Sequence, residues 1–87
     1  MKAAMFVVNR TGFHVVKAKK FSDLASSFPT EEIRVVWQEK NVISDAKSIL
    51  GIMALDVTKG TVLELRAEGP NEAEALEALL ALWNEIE

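Results

Sequence analysis

Lys47-Ser48-Ile49-Leu50-Gly51-Ile52-Met53-Ala54-Leu55 is the segment around which the rest of this chain falls into place. A serine near its start is followed at once by apolar residues, the pattern of a short amphipathic helix. Backbone N–H groups at a helix start lack intrahelical acceptors and carry partial positive charge, which favours a phosphate there. The apolar residues beside the serine suit the docking of a partner. Ser44 or Asp45 is the expected cap of this helix, which runs to Leu55.

Upstream, Ile33, Val35 and Trp37 alternate with Arg34, Val36 and Gln38, the period of a half-buried strand. Gln38-Glu39-Lys40-Asn41 turns the chain and Val42-Ile43 begins a short return strand. Before Pro29, apolar residues at Ala18, Phe21, Leu24, Ala25 and Phe28 form a helical stripe over about His14 to Phe28. Lys17, Lys19, Lys20, Ser22 and Asp23 lie on the other faces. Ala3 to Val8 is β-prone and ends in Asn9-Arg10-Thr11-Gly12, which has loop chemistry. Downstream, Thr58-Lys59-Gly60 turns again, and Thr61 to Ala67 is a strand with Leu63 and Leu65 on one face. Asn71 and Glu74 are spaced as a capping box, and Leu76, Leu79, Leu80, Trp83 and Ile86 form the stripe of a last helix. The expected order is β-α-β-β-α-β-α. It implies an α+β two-layer open-faced sandwich, three helices on a four-stranded, largely antiparallel sheet. Phe21, Phe28, Trp37 and Trp83 are read as core residues.

Composition narrows the functions. The 87 residues make one domain, and 49% apolar content is enough for a modest core. A formal charge of −3 does not fit a nucleic-acid binder, which is normally basic. The absence of cysteine removes disulfides, thiolate nucleophiles and cysteine zinc sites, and one histidine cannot build a His-rich metal centre. No cofactor is expected. The longest apolar runs fall far short of the ~20 residues that span a bilayer, and Met1-Lys2 leads straight into a strand-like run, unlike a signal peptide. The expectation is a cytoplasmic monomer without direct membrane insertion.

Gly12-Phe13-His14 followed by Lys47-Ser48-Ile49-Leu50-Gly51-Ile52-Met53 resembles HPr, the small phosphocarrier of the bacterial sugar phosphotransferase system. Lys59-Gly60 before the fourth strand and Ala67-Glu68-Gly69 after it recur in the family's register, so the likeness covers essentially the whole chain. The hairpin region between the two motifs is about three residues longer than usual in the family, an insertion of the kind loops tolerate.

The resemblance implies that His14 accepts a phosphoryl group from enzyme I and passes it to sugar-specific transporter components. Val16 and Lys17, at the start of the first helix, would supply backbone N–H donors to the phosphoryl oxygens. The family motif runs Gly, apolar, His, Ala or Thr, then Arg-Pro-Ala. Here Val16 stands in place of the Arg and Lys17 in place of the Pro. Valine offers no bidentate charged fork, and lysine offers a flexible point charge. Ser48 matches the serine that a dedicated kinase phosphorylates in Gram-positive members, where the product assists a transcriptional regulator. Ile49, Leu50 and Met53 would then form the partner-binding patch, joined by Lys17, Lys19 and Lys20 as a basic strip for an acidic partner. The alternative is a regulatory module like Crh, signalling through Ser48 with weak or no histidine relay. Ordinary structural roles compete with each assignment: a loop histidine, a helix-cap serine, core burial of Ile49, Leu50 and Met53, and a solvated lysine face. Glu72, Glu74, Glu77, Glu85 and Glu87 are expected on the wet side of the last helix.

Overall fold

A computed structural model describes residues 1–7, 15–55, 57 and 59–86 of the chain. His14 and the Asn9–Gly12 loop lie outside the described residues. Four strands, β1 (Lys2–Phe6), β2 (Glu32–Trp37), β3 (Val42–Asp45) and β4 (Val62–Glu68), form one antiparallel sheet in the order β1-β4-β2-β3. Three helices, α1 (Val15–Ser26), α2 (Ile49–Met53) and α3 (Glu72–Ile86), complete the β-α-β-β-α-β-α order. This is the α+β open-faced sandwich that the periodicities imply.

Strand alternation sets the register. Met5 faces Leu63, Ala3 and Val35 each face Leu65, and Ile33 faces Ala67, so one face of the sheet is continuously apolar. Ala18, Phe21 and Ala25 of α1, Ile52 of α2, and Ala75, Leu76, Leu79 and Trp83 of α3 close over it. Phe21 and Trp83 meet edge to face at 6.1 Å and 81°, which locks α1 against α3. Phe28 and Trp37 pack at the margin of the core and are only partly buried. The opposite sheet face is mixed, with a cross-strand row of Lys2, Arg66, Arg34 and Asp45 beside the exposed Phe6, Val62 and Ile43. Arg34 pairs with Glu32, and Arg66 pairs with Glu64.

One expected helix start is displaced, and another keeps its place with a different partner. Ser44 and Asp45 do not cap α2, because pairing with β2 carries β3 through Asp45, opposite Arg34. Asp45 Oδ1 instead accepts the Lys47 N–H at 2.9 Å, closing the turn that delivers Ser48 to the helix start. At α3, the Asn71 N–H is taken by Glu31 rather than by Glu74, donating to Glu31 Oε2 at 2.9 Å. Glu31 comes from the turn before β2 and is 2% exposed, with Thr30 Oγ1 donating to its carboxylate at 2.8 Å. A buried carboxylate needs such donors, and a helix start supplies one together with a favourable dipole.

The 3₁₀ turn Gln38–Lys40 between β2 and β3 ends on Asn41 at φ 55°, a left-handed position that asparagine tolerates.

Candidate functional site

The first turn of α1 is Val15, Val16, Lys17 and Ala18, with no acidic residue in it. The side chains divide sharply. Val15 and Val16 are exposed, whereas Lys17 is 4% exposed. The Lys17 ammonium lies 6.0 Å from the centroid of the Trp83 ring, within cation–π range. Trp83 is itself fixed, because its Nε1 donates to the Phe6 carbonyl oxygen at 3.1 Å while its ring packs on Phe21.

This placement corrects the solvated lysine face. Lys19 and Lys20 are exposed, and Lys19 pairs with Asp23 at 3.2 Å, but Lys17 belongs to the packed side of the helix. Ser22 is buried too and donates to the Lys47 carbonyl oxygen at 2.9 Å, tying α1 to the residue before Ser48. A signal for Lys17 exists in the sequence, since it stands four residues before Phe21 and therefore on the same stripe. No local signal marks Trp83 as its partner or Glu31 as the cap of α3, because both contacts cross long stretches of chain.

Ser48 is the N-cap of α2, with φ −100° and ψ 113°, and its Oγ accepts the Gly51 N–H at 3.1 Å. Its side chain therefore fills the ordinary cap role, and the residue is half-buried rather than enclosed. The expected patch splits by helical geometry. Ile52 is buried, Ile49 packs at the core margin, and Leu50 and Met53 are 77% and 42% exposed. Glu74, Glu77 and Glu85 are exposed as expected, Glu87 lies outside the described residues, and the half-buried Glu72 carboxylate binds the Met1 amino group at 2.7 Å.

A surface depression of about 470 Å³ between Thr30, Glu31, Arg34, Asp45 and Lys47 contains none of the candidate site residues. Among the described residues no helix is long and apolar enough to cross a membrane.

The open-faced sandwich carries the start of α1 and the short α2 on its helix layer, packed on the apolar face of the sheet. The family model described as PTS HPr component phosphorylation site matches residues 1–85, and the chain belongs to the HPr family. It is 41% identical over 85 residues to the phosphocarrier protein HPr of Neisseria meningitidis serogroup A, covering 97% of this chain and 91% of that one. The crystal structure of HPr from Thermoanaerobacter tengcongensis superposes with a TM-score of 0.85 at 39% identity, covering 98% of this chain and 92% of that chain. Crh, the catabolite-repression protein of Bacillus subtilis, superposes with a TM-score of 0.77 at 37% identity, covering 91% and 87%.

Proposed function

We propose that the chain is a cytoplasmic phosphocarrier that accepts a phosphoryl group on His14 from enzyme I and passes it to sugar-specific transporter components of the phosphotransferase system. The observation that carries this reading is the start of α1 at Val15, directly after His14, with no acidic side chain in its first turn. The N–H groups of that turn, Val16 and Lys17 among them, and the positive end of the helix dipole favour an anion there. Lone-pair electrons on one imidazole nitrogen form a nitrogen–phosphorus bond as the donor's bond to phosphorus breaks. The electron pair of the broken bond leaves with the donor, which takes up a proton, and the imidazolium formed releases one. A neutral ring is the competent form, because only an unprotonated ring nitrogen has a lone pair to donate. Exposed Val15, Val16, Leu50 and Met53 supply apolar surface on two helices that pack together, suited to a partner that docks and leaves.

Incubation with phosphoenolpyruvate and enzyme I from the same organism tests the relay, with His14→Ala as control. Acid-labile phosphate on the wild type that vanishes in His14→Ala is the expected outcome. An unlabelled wild type would remove the carrier function.

The likeness to Crh and the position of Ser48 support a second, regulatory reading. In it, a serine kinase modifies Ser48 and a transcriptional regulator reads the surface around Ile49, Leu50 and Met53. Acid-stable phosphate on the wild type, absent from Ser48→Ala, is its signature.

A further inference from the structure

We propose that the depression between β2 and the β3–α2 turn is a binding site for a small zwitterion of the α-amino acid class. Lys47 and Arg34 receive its carboxylate, and Asp45 receives its ammonium group. The inference is independent of the histidine relay, because none of these three side chains serves it.

The gap has a local cause. Arg34 and Asp45 stand directly opposite each other in the β2–β3 register, and cross-strand neighbours of opposite charge ordinarily pair. Here each is drawn away from the other. The Arg34 guanidinium binds Glu32, two residues back on its own strand. Asp45 Oδ1 accepts the Lys47 N–H at 2.9 Å, within its own turn. Between them the surface opens into a depression of about 470 Å³, bounded also by Thr30 and Glu31. That volume is in the range of small-molecule sites.

The walls are fixed from behind. Lys47 Nζ donates to the Glu31 carbonyl oxygen at 2.5 Å, and Ser22 Oγ donates to the Lys47 carbonyl oxygen at 2.9 Å. The Glu31 carboxylate is engaged inside the protein by Thr30 Oγ1 and the Asn71 N–H. Ordering a long side chain is one of the costs of binding, and the tether on Lys47 meets part of it before a ligand arrives.

The charges that remain at the gap select the ligand. Arg34 and Lys47 are cations, Glu32 and Asp45 are anions, and the four sum to zero. A simple anion meets two carboxylates there, and a simple cation meets two basic groups. A molecule that carries both charges finds an opposite charge for each. An ammonium has three N–H donors and a guanidinium five, and among the described residues Lys47 Nζ and the Arg34 guanidinium each have one partner. Their remaining donors suit a carboxylate, which takes charge-assisted hydrogen bonds from both. Asp45 Oδ2 has no partner among the described residues, and a ligand ammonium supplies its donor. Ser48 sits on the same turn, its N–H donating to the Asp45 carbonyl oxygen at 3.0 Å, so its amide reports occupancy.

The test is a titration of the full chain with L-alanine and L-glutamine, followed by amide NMR at neutral pH and constant ionic strength. Saturable shifts at Arg34, Asp45, Lys47 and Ser48 are expected, with half-saturation at about 0.1–10 mM. N-acetyl-L-alanine lacks the ammonium group and L-alaninamide lacks the carboxylate, and each should bind about tenfold or more weakly. Asp45→Asn keeps an oxygen for the Lys47 N–H but loses the charge, and should weaken the amino acids about tenfold. Arg34→Gln should weaken them about fivefold or more. Thermal unfolding of each variant checks that it is folded, and the two alanine derivatives test the site on the wild type whatever the variants do.

The absence of saturable shifts up to about 50 mM overturns the proposal. N-acetyl-L-alanine binding as well as L-alanine makes the site one for plain anions and refutes the zwitterion. Equal binding of L-alaninamide refutes it in the opposite sense. Wild-type affinity in folded Asp45→Asn and Arg34→Gln places the ligand elsewhere and overturns the assignment.

Discussion

Gly69→Ala is the sharpest test of how α3 is anchored. Gly69 sits at φ +147°, backbone that L side chains rarely adopt. A Cβ built there would lie 2.7 Å from Glu31 Oε2, 2.9 Å from the Thr30 carbonyl oxygen and 3.1 Å from Glu31 Cα. Two of those three neighbours are backbone atoms, so rotating a side chain cannot relieve the crowding. Strain at such a φ costs about 1–3 kcal/mol, and overpacking a tight site adds about 1–3 kcal/mol. Alanine also restricts the unfolded chain, which returns about 0.4–1 kcal/mol. The net loss is about 2–5 kcal/mol, a large share of the ~5–15 kcal/mol that holds a domain folded. At roughly 4–8 °C per kcal/mol for a domain of this size, the melting temperature should fall by at least about 8 °C. Urea titration with an unchanged slope would show that the loss is in native stability. The same titration of Glu31→Ala and of the double variant isolates the carboxylate contact. Without Oε2 one of the three clashes is gone, so Gly69→Ala should cost about 1 kcal/mol less in that background. A Gly69→Ala protein within about 1 kcal/mol of wild type, or strictly additive losses, would refute the close packing of Glu31 beneath this turn.

Ser48→Ala removes the acceptor for the Gly51 N–H and should lower stability by about 1 kcal/mol in denaturant titration, a modest loss because one cap bond is involved. Leu50→Asp alters a side chain that is 77% exposed, so stability should move by less than about 0.5 kcal/mol while the transfer rate from enzyme I falls with a raised KM. An unchanged KM in that variant would exclude Leu50 from the docking surface.

Much of the architecture was legible before any coordinates. The strand containing Ile33, Val35 and Trp37 and the stripe from Leu76 to Trp83 carry their periods openly, because each element must bury one face. Their order is sufficient for the open-faced sandwich. Legibility ended where partners come from distant chain. Asp45 was available as a helix cap by local chemistry, but hydrogen bonding to β2 commits it to a strand. Glu74 stands at the spacing of a capping box, yet Glu31, forty residues before Asn71, takes the N–H. The same limit governs the candidate site. Ser48 and its apolar neighbours were visible as a group, while the division between buried Ile52 and exposed Leu50 depended on which side of α2 meets the core.

His14 and Ser48, the apolar run after Ser48 and the order of elements are properties of the sequence, set by residue type and by spacings of two and of three or four. The placement of Lys17 was decided by tertiary structure. A lysine among lysines reads as a wet helix face, and only the packing of α3 across α1 turns one of them inward, onto Trp83. That contact spans sixty-six residues of chain (from 17 to 83) and depends on the two helices sharing one sheet face. Local patterns record which face of an element is apolar, whereas the sheet order β1-β4-β2-β3 selects what that face will meet.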